Sequence, residues 1–443
     1  MGMASSRPRL RTLLLHVRRF STTPSRRLIK HISELPDRIK PAYVQGPSQT
    51  LLSLQWPSPP RNILITKKQR TPDITESLVE CSTHLSTTYP SINIILDPDS
   101  AAEVHEQLPF PVYTFTEPPL NASPKYLADK TDLVCTLGGD GTVLRASSLF
   151  SHSAIVPPVL SFAMGTIGFL GEWKFKEYKR AFREVYMSGA DDAYAKLEFP
   201  ERETSNPTND PLDKPLSYAD IRGKAMGSNR TARILLRNRL KVGVFSPDGT
   251  RINGAEEHGD TYALNEVIVH RGSSPHLKIV DVFVGGRFLT EAVADGIIIS
   301  SPTGSTAYSL SSGGSIVHPL VPSLLLTPIC PRSLSFRPLV LPAETPITLR
   351  LGEKNRGREA EVSIDGKHIS DGMGVGMEVR VLGENVRSKD GEWLGGVPSI
   401  VRGTVGGLEE REEDHWVGGL NALLKFNYPF GDQEAGGEGH GHW

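Results

Sequence analysis

At 443 residues the chain has room for two domains and terminal extensions, and its 49 basic against 50 acidic side chains give no global field for nucleic acid or a membrane surface. Cys81, Cys135 and Cys330 are scattered without any CxxC spacing, which argues against a disulfide framework or a zinc site and fits a reducing compartment. No apolar run approaches the roughly 20 residues that cross a bilayer, so the 42 Gly and 34 Pro point to a soluble, loop-rich globular protein without membrane insertion.

The N-terminal segment differs from everything after it. Arg7, Arg9, Arg11, Arg18, Arg19, Arg26, Arg27 and Lys30 are interspersed with Leu13, Leu14, Leu15, Val17 and Phe20 and with many Ser and Thr, and the first acidic residue is Glu34. That is the composition of a mitochondrial import presequence, so residues 1–35 are expected to direct the chain to the mitochondrial matrix. Arg18-Arg19-Phe20 before Ser21 resembles a matrix-peptidase cleavage site, the alternative being a disordered basic arm. Residues 36–60, rich in Pro, Ser and Gln, read as a linker.

From 61 to 195 apolar strands alternate with helical patterns. Residues 62–66 and 92–96 read as buried strands, with a helix over 71–89 between them. Leu133 to Leu137 form a third strand, broken by Gly138-Gly139-Asp140-Gly141, and Thr142 onward reads as a helix. Residues 157–163 are a fourth strand, running into a second glycine turn at 164–171, and 175–187 read as an amphipathic helix. The alternation predicts an α/β domain with a parallel sheet covered on both faces, and ligands in such sheets sit at the carboxyl ends of strands.

The GGDG turn suits a polyphosphate. Its glycines let backbone N–H groups converge on an anion, and the helix start adds its positive dipole end. A carboxylate beside phosphates is repulsive unless it holds a hydroxyl, a Mg²⁺ or the reacting proton. Asp140 therefore suggests a kinase of a small hydroxylated molecule. Taken alone, the turn also fits ordinary N-cap chemistry at a helix start.

From 196 to 405 short strands and turns prevail, after a polar, Pro- and Asn-rich insertion over 200–230. Strands are expected at 195–199, 234–236, 242–245, 267–269, 279–284, 297–299 and 347–349, making a second, β-rich domain. Asn265-Glu266 sets an amide, able to read an adenine edge, beside a carboxylate able to hold ribose hydroxyls. Asp295-Gly296 leads through a buried strand into a run of small and hydroxyl residues over 300–314. There Thr303, Ser305, Thr306, Ala307 and Ser311 offer hydroxyls and close backbone approach, and Tyr308 offers a stacking face. Over 406–443, Trp416, Leu420, Leu423, Leu424 and Phe426 are spaced for a helix, followed by a frayed tail.

Together, GGDG at 138–141, Leu264-Asn265-Glu266, and Asp295-Gly296 followed by Pro302-Thr303-Gly304-Ser305-Thr306-Ala307-Tyr308 resemble the NAD kinase family. Residues 62–68, 274–277 and 327–338 are similar to its fungal mitochondrial NADH kinases. The resemblance implies an α/β domain followed by a β-rich one, with the C-terminal helix returning to the first. It also implies ATP-dependent phosphorylation of the adenosine-ribose 2′-hydroxyl of NADH or NAD. Asp140 would face that hydroxyl, with Gly138, Gly139, Gly141 and Thr142 on the donor phosphates and Mg²⁺ carried by ATP rather than by a protein site. Asn265 and Thr306 would meet the adenine, Glu266 the ribose, Tyr308 the base and Asp295 the nicotinamide end. Members form dimers or tetramers, so a homo-oligomer is expected. Val293 stands where many members have a basic residue, leaving His276 as a candidate phosphate partner; Ser301 replaces a commoner Thr. An NAD⁺-preferring kinase, a lipid or sphingoid kinase sharing GGDG, and a non-catalytic NAD(H)-binding module are the alternatives.

Overall fold

Strands with no polar face need cover on both sides. Every residue of Asn62–Lys67 and of Leu133–Leu137 is buried, and the chain provides that cover with helices. The structure, a computed structural model, describes residues 28–45, 50–89, 91–116, 124, 126–165, 168–189, 231–252, 260–369, 372–387, 391–402, 416, 420 and 424. The first part runs β1 (Ile29–His31), β2 (Ala42–Gln45), β3 (Leu52–Gln55), β4 (Asn62–Lys67), α1 (Pro72–Thr88), β5 (Asn93–Leu96), α2 (Pro98–Val104) and β6 (Val112–Thr114). It continues through α3 (Leu127–Lys130), β7 (Leu133–Leu137), α4 (Asp140–Ser148), β8 (Val159–Ala163), β9 (Trp173–Lys174), α5 (Tyr178–Tyr186) and β10 (Arg233–Arg237).

The second part holds β11 (Leu240–Phe245), β12 (Thr261–Ala263), β13 (Glu266–His270), β14 (Lys278–Val284), β15 (Arg287–Ala294), β16 (Gly296–Ser300) and the single turn α6 (Tyr308–Ser311). Then come β17 (Ser323–Ile329), β18 (Leu339–Pro342), β19 (Ile347–Leu351), β20 (Glu359–Ile364), β21 (Lys367–His368), β22 (Met373–Gly374) and β23 (Glu378–Gly383), and β24 (Val397–Val401) closes the fold.

The first sheet has the order β1-β6-β5-β4-β7-β8-β24-β10-β3-β2, with β9 beside β8. It is parallel from β1 to β24 and antiparallel beyond. Alternate residues serve opposite faces. Ile63, Ile65, Cys135 and Leu137 pack with Leu78 and Leu85 of α1 and Phe182 of α5, while Leu64 and Val134 pack with Val143 and Ala146 of α4. The second part is a sandwich of two antiparallel sheets, β12-β11-β23-β19-β14-β15 against β18-β17-β16-β13-β20-β21. Val242, Val280 and Leu349 of one meet Val267, Ile297 and Val362 of the other in a shared core.

Four expected boundaries move. The presequence expected to 35 overlaps structured chain, because β1 pairs with β6 and Ile32 and Leu35 are buried. The expected linker over 36–60 holds β2 and β3. Its composition masks a period-two pattern in which Leu52, Leu54 and Trp56 all point inward. The carboxylate of Asp132 then fastens this region, accepting N–H groups from Ile39 at 2.6 Å, Arg61 at 2.6 Å and Asn62 at 2.9 Å. β10 and β24, placed by sequence in the second domain, belong to the first sheet, so the chain crosses between domains at 237–240 and again between 383 and 397. Of the C-terminal stretch, Trp416, Leu420 and Leu424 are described and helical. Trp416 meets the His318 ring of the second domain edge-on at 4.8 Å, so the return to the first domain that is seen is made by β24. The strand expected at 195–199 and the insertion over 200–230 lie outside the described residues.

Both crossings meet at one buried ion pair. Arg239 donates from Nε and Nη2 to the Glu384 carboxylate at 2.8 and 2.6 Å, and from Nη1 and Nη2 to the carbonyls of Ser153 and Ala154 at 3.0 and 3.1 Å. Glu384 also accepts the Gly396 N–H at 2.8 Å. Removing one partner of such a pair leaves the other charge buried and unpaired, at about 3–5 kcal/mol. Glu384→Ala is therefore expected to lower unfolding stability by about that amount, read by urea denaturation; a loss under about 0.5 kcal/mol would show the pair to be incidental.

Candidate active site

Strand β7 delivers Gly138 to the carboxyl edge of the sheet, where the Gly138 N–H still donates to the Phe162 carbonyl at 3.0 Å. That group is spent within the sheet. Thr142 is spent too: its N–H turns back to the Gly139 carbonyl at 2.9 Å, and its hydroxyl occupies the space a Gly138 Cβ would need. What stays open is the middle of the turn. A Cβ at Gly139 or Gly141 would meet nothing within 4 Å, so the protein's own packing does not demand glycine there, whereas close approach of a ligand would. The N–H groups of Asp140 and Gly141 lie in the first turn of α4, where no intrahelical acceptor exists.

The Asp140 carboxylate bridges the two glycine turns. Oδ2 accepts the Phe169 N–H at 2.9 Å and Oδ1 the Leu170 N–H at 3.0 Å. Each oxygen keeps further acceptor capacity. The preceding residue, Gly168, has to be glycine, because a Cβ there would stand 2.2 Å from Oδ1.

Across the domain boundary, Leu264 is buried in the same cluster as Val143 and Ala146 of α4, which sets Asn265 and Glu266 opposite that helix. Both side chains are buried, and Asn265 Oδ1 and Glu266 Oε2 have no hydrogen-bond partner among the described residues. Unpaired buried acceptors are costly and uncommon. Burial, with the Asp365 carboxylate nearby, pushes the Glu266 carboxyl up to about 7. Sequence reasoning missed Asp365. It sits in the β20–β21 turn at φ 47° and accepts the N–H groups of Leu264, Asn265 and Glu266 at 2.6, 2.8 and 3.1 Å. The Asp-Gly pair at 365–366 is a recognisable hairpin signal, but its grip on a segment some hundred residues away is not local information.

The hydroxyl-rich run folds over this pair. Ser301 donates its N–H to the Asn265 carbonyl at 2.9 Å and its hydroxyl to the Leu264 carbonyl at 2.5 Å. Gly304 lies so close that a Cβ would stand 2.2 Å from the Asn265 carbonyl oxygen. Thr303 to Thr306 form a short 3₁₀ turn, with Thr303 buried and the Thr306 hydroxyl bonded to the Thr303 carbonyl at 3.2 Å. Ser305 faces inward instead, its hydroxyl donating to Pro302 at 2.6 Å and accepting from Val317 at 3.0 Å. It pins the loop. Ala307 is half-buried, while Tyr308 and Ser311 are exposed.

Asp295 and His276 do not join this cluster. Glu266 pairs with Ser300 and His270 with Gly296, so Asp295 lies at the opposite end of β13 and β16, roughly 17 Å along the strands. There it accepts from Arg271 Nε at 2.6 Å, and His276 is exposed on the loop that follows. The Arg332 N–H donates to the Val293 carbonyl at 2.8 Å, and a cleft of about 410 Å³ lined by Val293, Arg332 and Arg337 opens beside it. Basic residues thus reach the neighbourhood of Val293 from a distant loop.

The sequence pattern of the ATP-NAD kinase N-terminal domain matches residues 63–190, and that of the ATP-NAD kinase C-terminal domain matches residues 264–381. The mitochondrial NADH kinase of Saccharomyces cerevisiae is 36% identical over 91% of this chain and 89% of its own length. That of Schizosaccharomyces pombe is 37% identical over 91% of this chain and 86% of its own. The crystal structure of yeast NADH kinase complexed with NADH superposes with a TM-score of 0.68 at 36% identity, covering 92% of this chain and 99% of that one.

The raised Glu266 group has a consequence for stability. Below the ordinary glutamate range both folded and unfolded chains hold the proton, and the group is neutral to stability. Between that range and about 7 the unfolded chain ionises first, so folding is progressively disfavoured, reaching roughly 3 kcal/mol at higher pH. Glu266→Gln removes the titration. The variant is expected to exceed wild type by about 1–3 kcal/mol in urea denaturation at pH 8, with most of the gap closed at pH 5. An equal gap at both pH values would show that Glu266 does not titrate in this way.

Proposed function

The chain belongs to the NAD kinase family, and from that premise we propose that it transfers the γ-phosphate of ATP to the adenosine-ribose 2′-hydroxyl of NADH, and of NAD, in the mitochondrion. The observation that carries this reading is the pair of buried acceptors, Asn265 Oδ1 and Glu266 Oε2, without a partner among the described residues, on a segment whose Leu264 packs with α4, the helix that opens at Asp140 between two open glycines. An adenine amine would satisfy the first and a ribose hydroxyl the second. The preference for NADH is supported by two relatives named NADH kinase that match nine-tenths of the chain. Both are named mitochondrial, and the basic, acid-free N-terminal segment supports import to the matrix.

In this reading the 2′-oxygen attacks the γ-phosphorus, the bond to the β-bridging oxygen breaks, and ADP leaves. Asp140 holds the hydroxyl in line and accepts its proton late, since the nucleophile is little deprotonated in a loose transition state. Its two N–H bonds fix the carboxylate before substrate arrives. A Mg²⁺ carried on the donor's own phosphate oxygens would neutralise their charge at the turn.

Asp295, with Arg332 and Arg337, belongs to the nicotinamide end in this proposal. Its distance from Asn265 is met if a homo-oligomer joins that end of one copy to the Asn265 end of another. Exposed Phe288 and Leu334, 59% and 87% accessible, offer apolar surface nearby for such contact.

Protein starting at Ser21 is expected to make 2′-phosphorylated dinucleotide from ATP and Mg²⁺, with higher kcat/KM for NADH than for NAD⁺. Product from NAD⁺ alone would overturn the NADH assignment, and none from either would overturn the kinase reading. Asp140→Asn is expected to lower kcat by about 10³-fold with little change in NADH affinity. Mixing it with inactive Asp295→Asn tests the shared site: after subunit exchange, about a quarter of wild-type activity should return if the two residues come from different copies of a dimer. No recovery in exchanged dimers would place them in one copy.

A further inference from the structure

Arg237 ends β10, where the chain leaves the first sheet for the second domain. The residue is 2% exposed, a setting in which a cation is costly unless its donors are used. Two of them are used, on two different elements. Nε donates to the Ser399 hydroxyl of β24 at 3.1 Å, and Nη2 donates to the Phe169 carbonyl at 3.2 Å. The Phe169 residue that accepts from Arg237 is the same one whose N–H donates to Asp140 Oδ2, and the next N–H, from Leu170, reaches Oδ1. On the other side of that segment, Gly168 touches the carboxylate so closely that no side chain fits. Asp140, residues 168–170, Arg237 and Ser399 therefore form one continuous stack. The negative charges acting on Arg237 are Glu172 and Asp140 itself.

We infer that Arg237 is a positioning residue for Asp140: by holding the Phe169 carbonyl it fixes the peptide groups whose N–H bonds aim the carboxylate. The inference rests on the phosphotransfer reading given above. A role confined to joining β10 and β24 would need only the contact with Ser399. The reach to the second glycine turn is what links Arg237 to the reacting end of the site. A displacement of the carboxylate by about 1 Å is enough to cost some hundredfold in rate, and such a displacement leaves the ground-state contacts of the dinucleotide at Asn265 and Glu266 untouched.

The experiment compares wild type, Arg237→Met, Arg237→Gln and Arg237→Lys by steady-state kinetics with NADH and MgATP, by NADH fluorescence titration, and by urea denaturation. Arg237→Met is expected to lose about 100-fold in kcat with both KM values and the NADH Kd within about twofold of wild type. Arg237→Lys, which keeps a cationic donor, is expected to recover to within about tenfold. A folded Arg237→Met with kcat within about threefold of wild type would overturn the assignment, as would losses shared equally by kcat and Kd. Should the methionine variant not fold, Arg237→Gln carries the test: an isolated loss of kcat supports positioning, and an intact kcat overturns it. An inactive wild type would overturn the phosphotransfer reading itself, which an active wild type with indifferent variants leaves standing.

Discussion

The buried Arg239 guanidinium is the constraint on which the relation of the two domains depends. It lies where the chain passes from the first sheet to the sandwich, and it donates both to Glu384, where the chain prepares to pass back, and to carbonyls in the loop that follows α4. The ring of Tyr262 lies over it at 4.1 Å. Helix α4 begins at Asp140 and its trailing loop ends on Arg239, so the helix spans the distance between the Asp140 carboxylate and the domain joint. A rotation of the sandwich that moved Asn265 and Glu266 away from α4 would first have to pull a desolvated charge away from its hydrogen-bond acceptors. The facing of the two halves of the site is thus a property of the joint.

Within each half, one aspartate does the same physical work. Asp140 accepts two backbone N–H groups from the second glycine turn, and Asp365 accepts three from the segment carrying Asn265 and Glu266. Asp132 accepts three more where the N-terminal segment meets β4. Bonds from N–H groups to a charged acceptor are worth roughly twice neutral ones, and they orient as well as hold. Each carboxylate replaces a stretch of regular backbone pairing at a point where the chain has to turn.

What was legible in the sequence follows from this. The GGDG turn, its strand and its helix are local, written in glycine spacing and in apolar runs, and so were α1, β4, β5 and β8. Asn265 and Glu266 were legible by residue type, but the reason they are held in place is Asp365, a contact formed only once β20 lies beside β13. Residues 36–60 misled because Pro and Ser raised the apparent loop content around Leu52, Leu54 and Trp56, whose alternation carried the strand. Ser305 misled for a different reason: in a run of small hydroxyl residues, composition does not distinguish a side chain facing the ligand from one tying the loop to Val317. The strand at 234–236 reads as part of the second domain and 397–401 does not read as a strand at all, since the crossing that puts both in the first sheet is fixed by Arg239 and Glu384.

The site divides its polar groups into two kinds, and the division bears on how it would work. Asp140 and Asp365 are held by N–H groups before any ligand arrives, so ordering them costs little when substrate binds, which favours rate through alignment. Asn265 Oδ1 and Glu266 Oε2 are left without donors, so a ligand that supplies an amine and a hydroxyl relieves two desolvation penalties at once, and one that lacks either leaves a penalty in place. In the proposed reaction, selectivity would thereby be drawn from the unpaired groups and turnover from the alignment of Asp140. Because Asn265, Glu266 and Asp365 sit on the sandwich and Asp140 on the α/β sheet, neither domain alone would supply the whole set, and the joint at Arg239 is what holds them together.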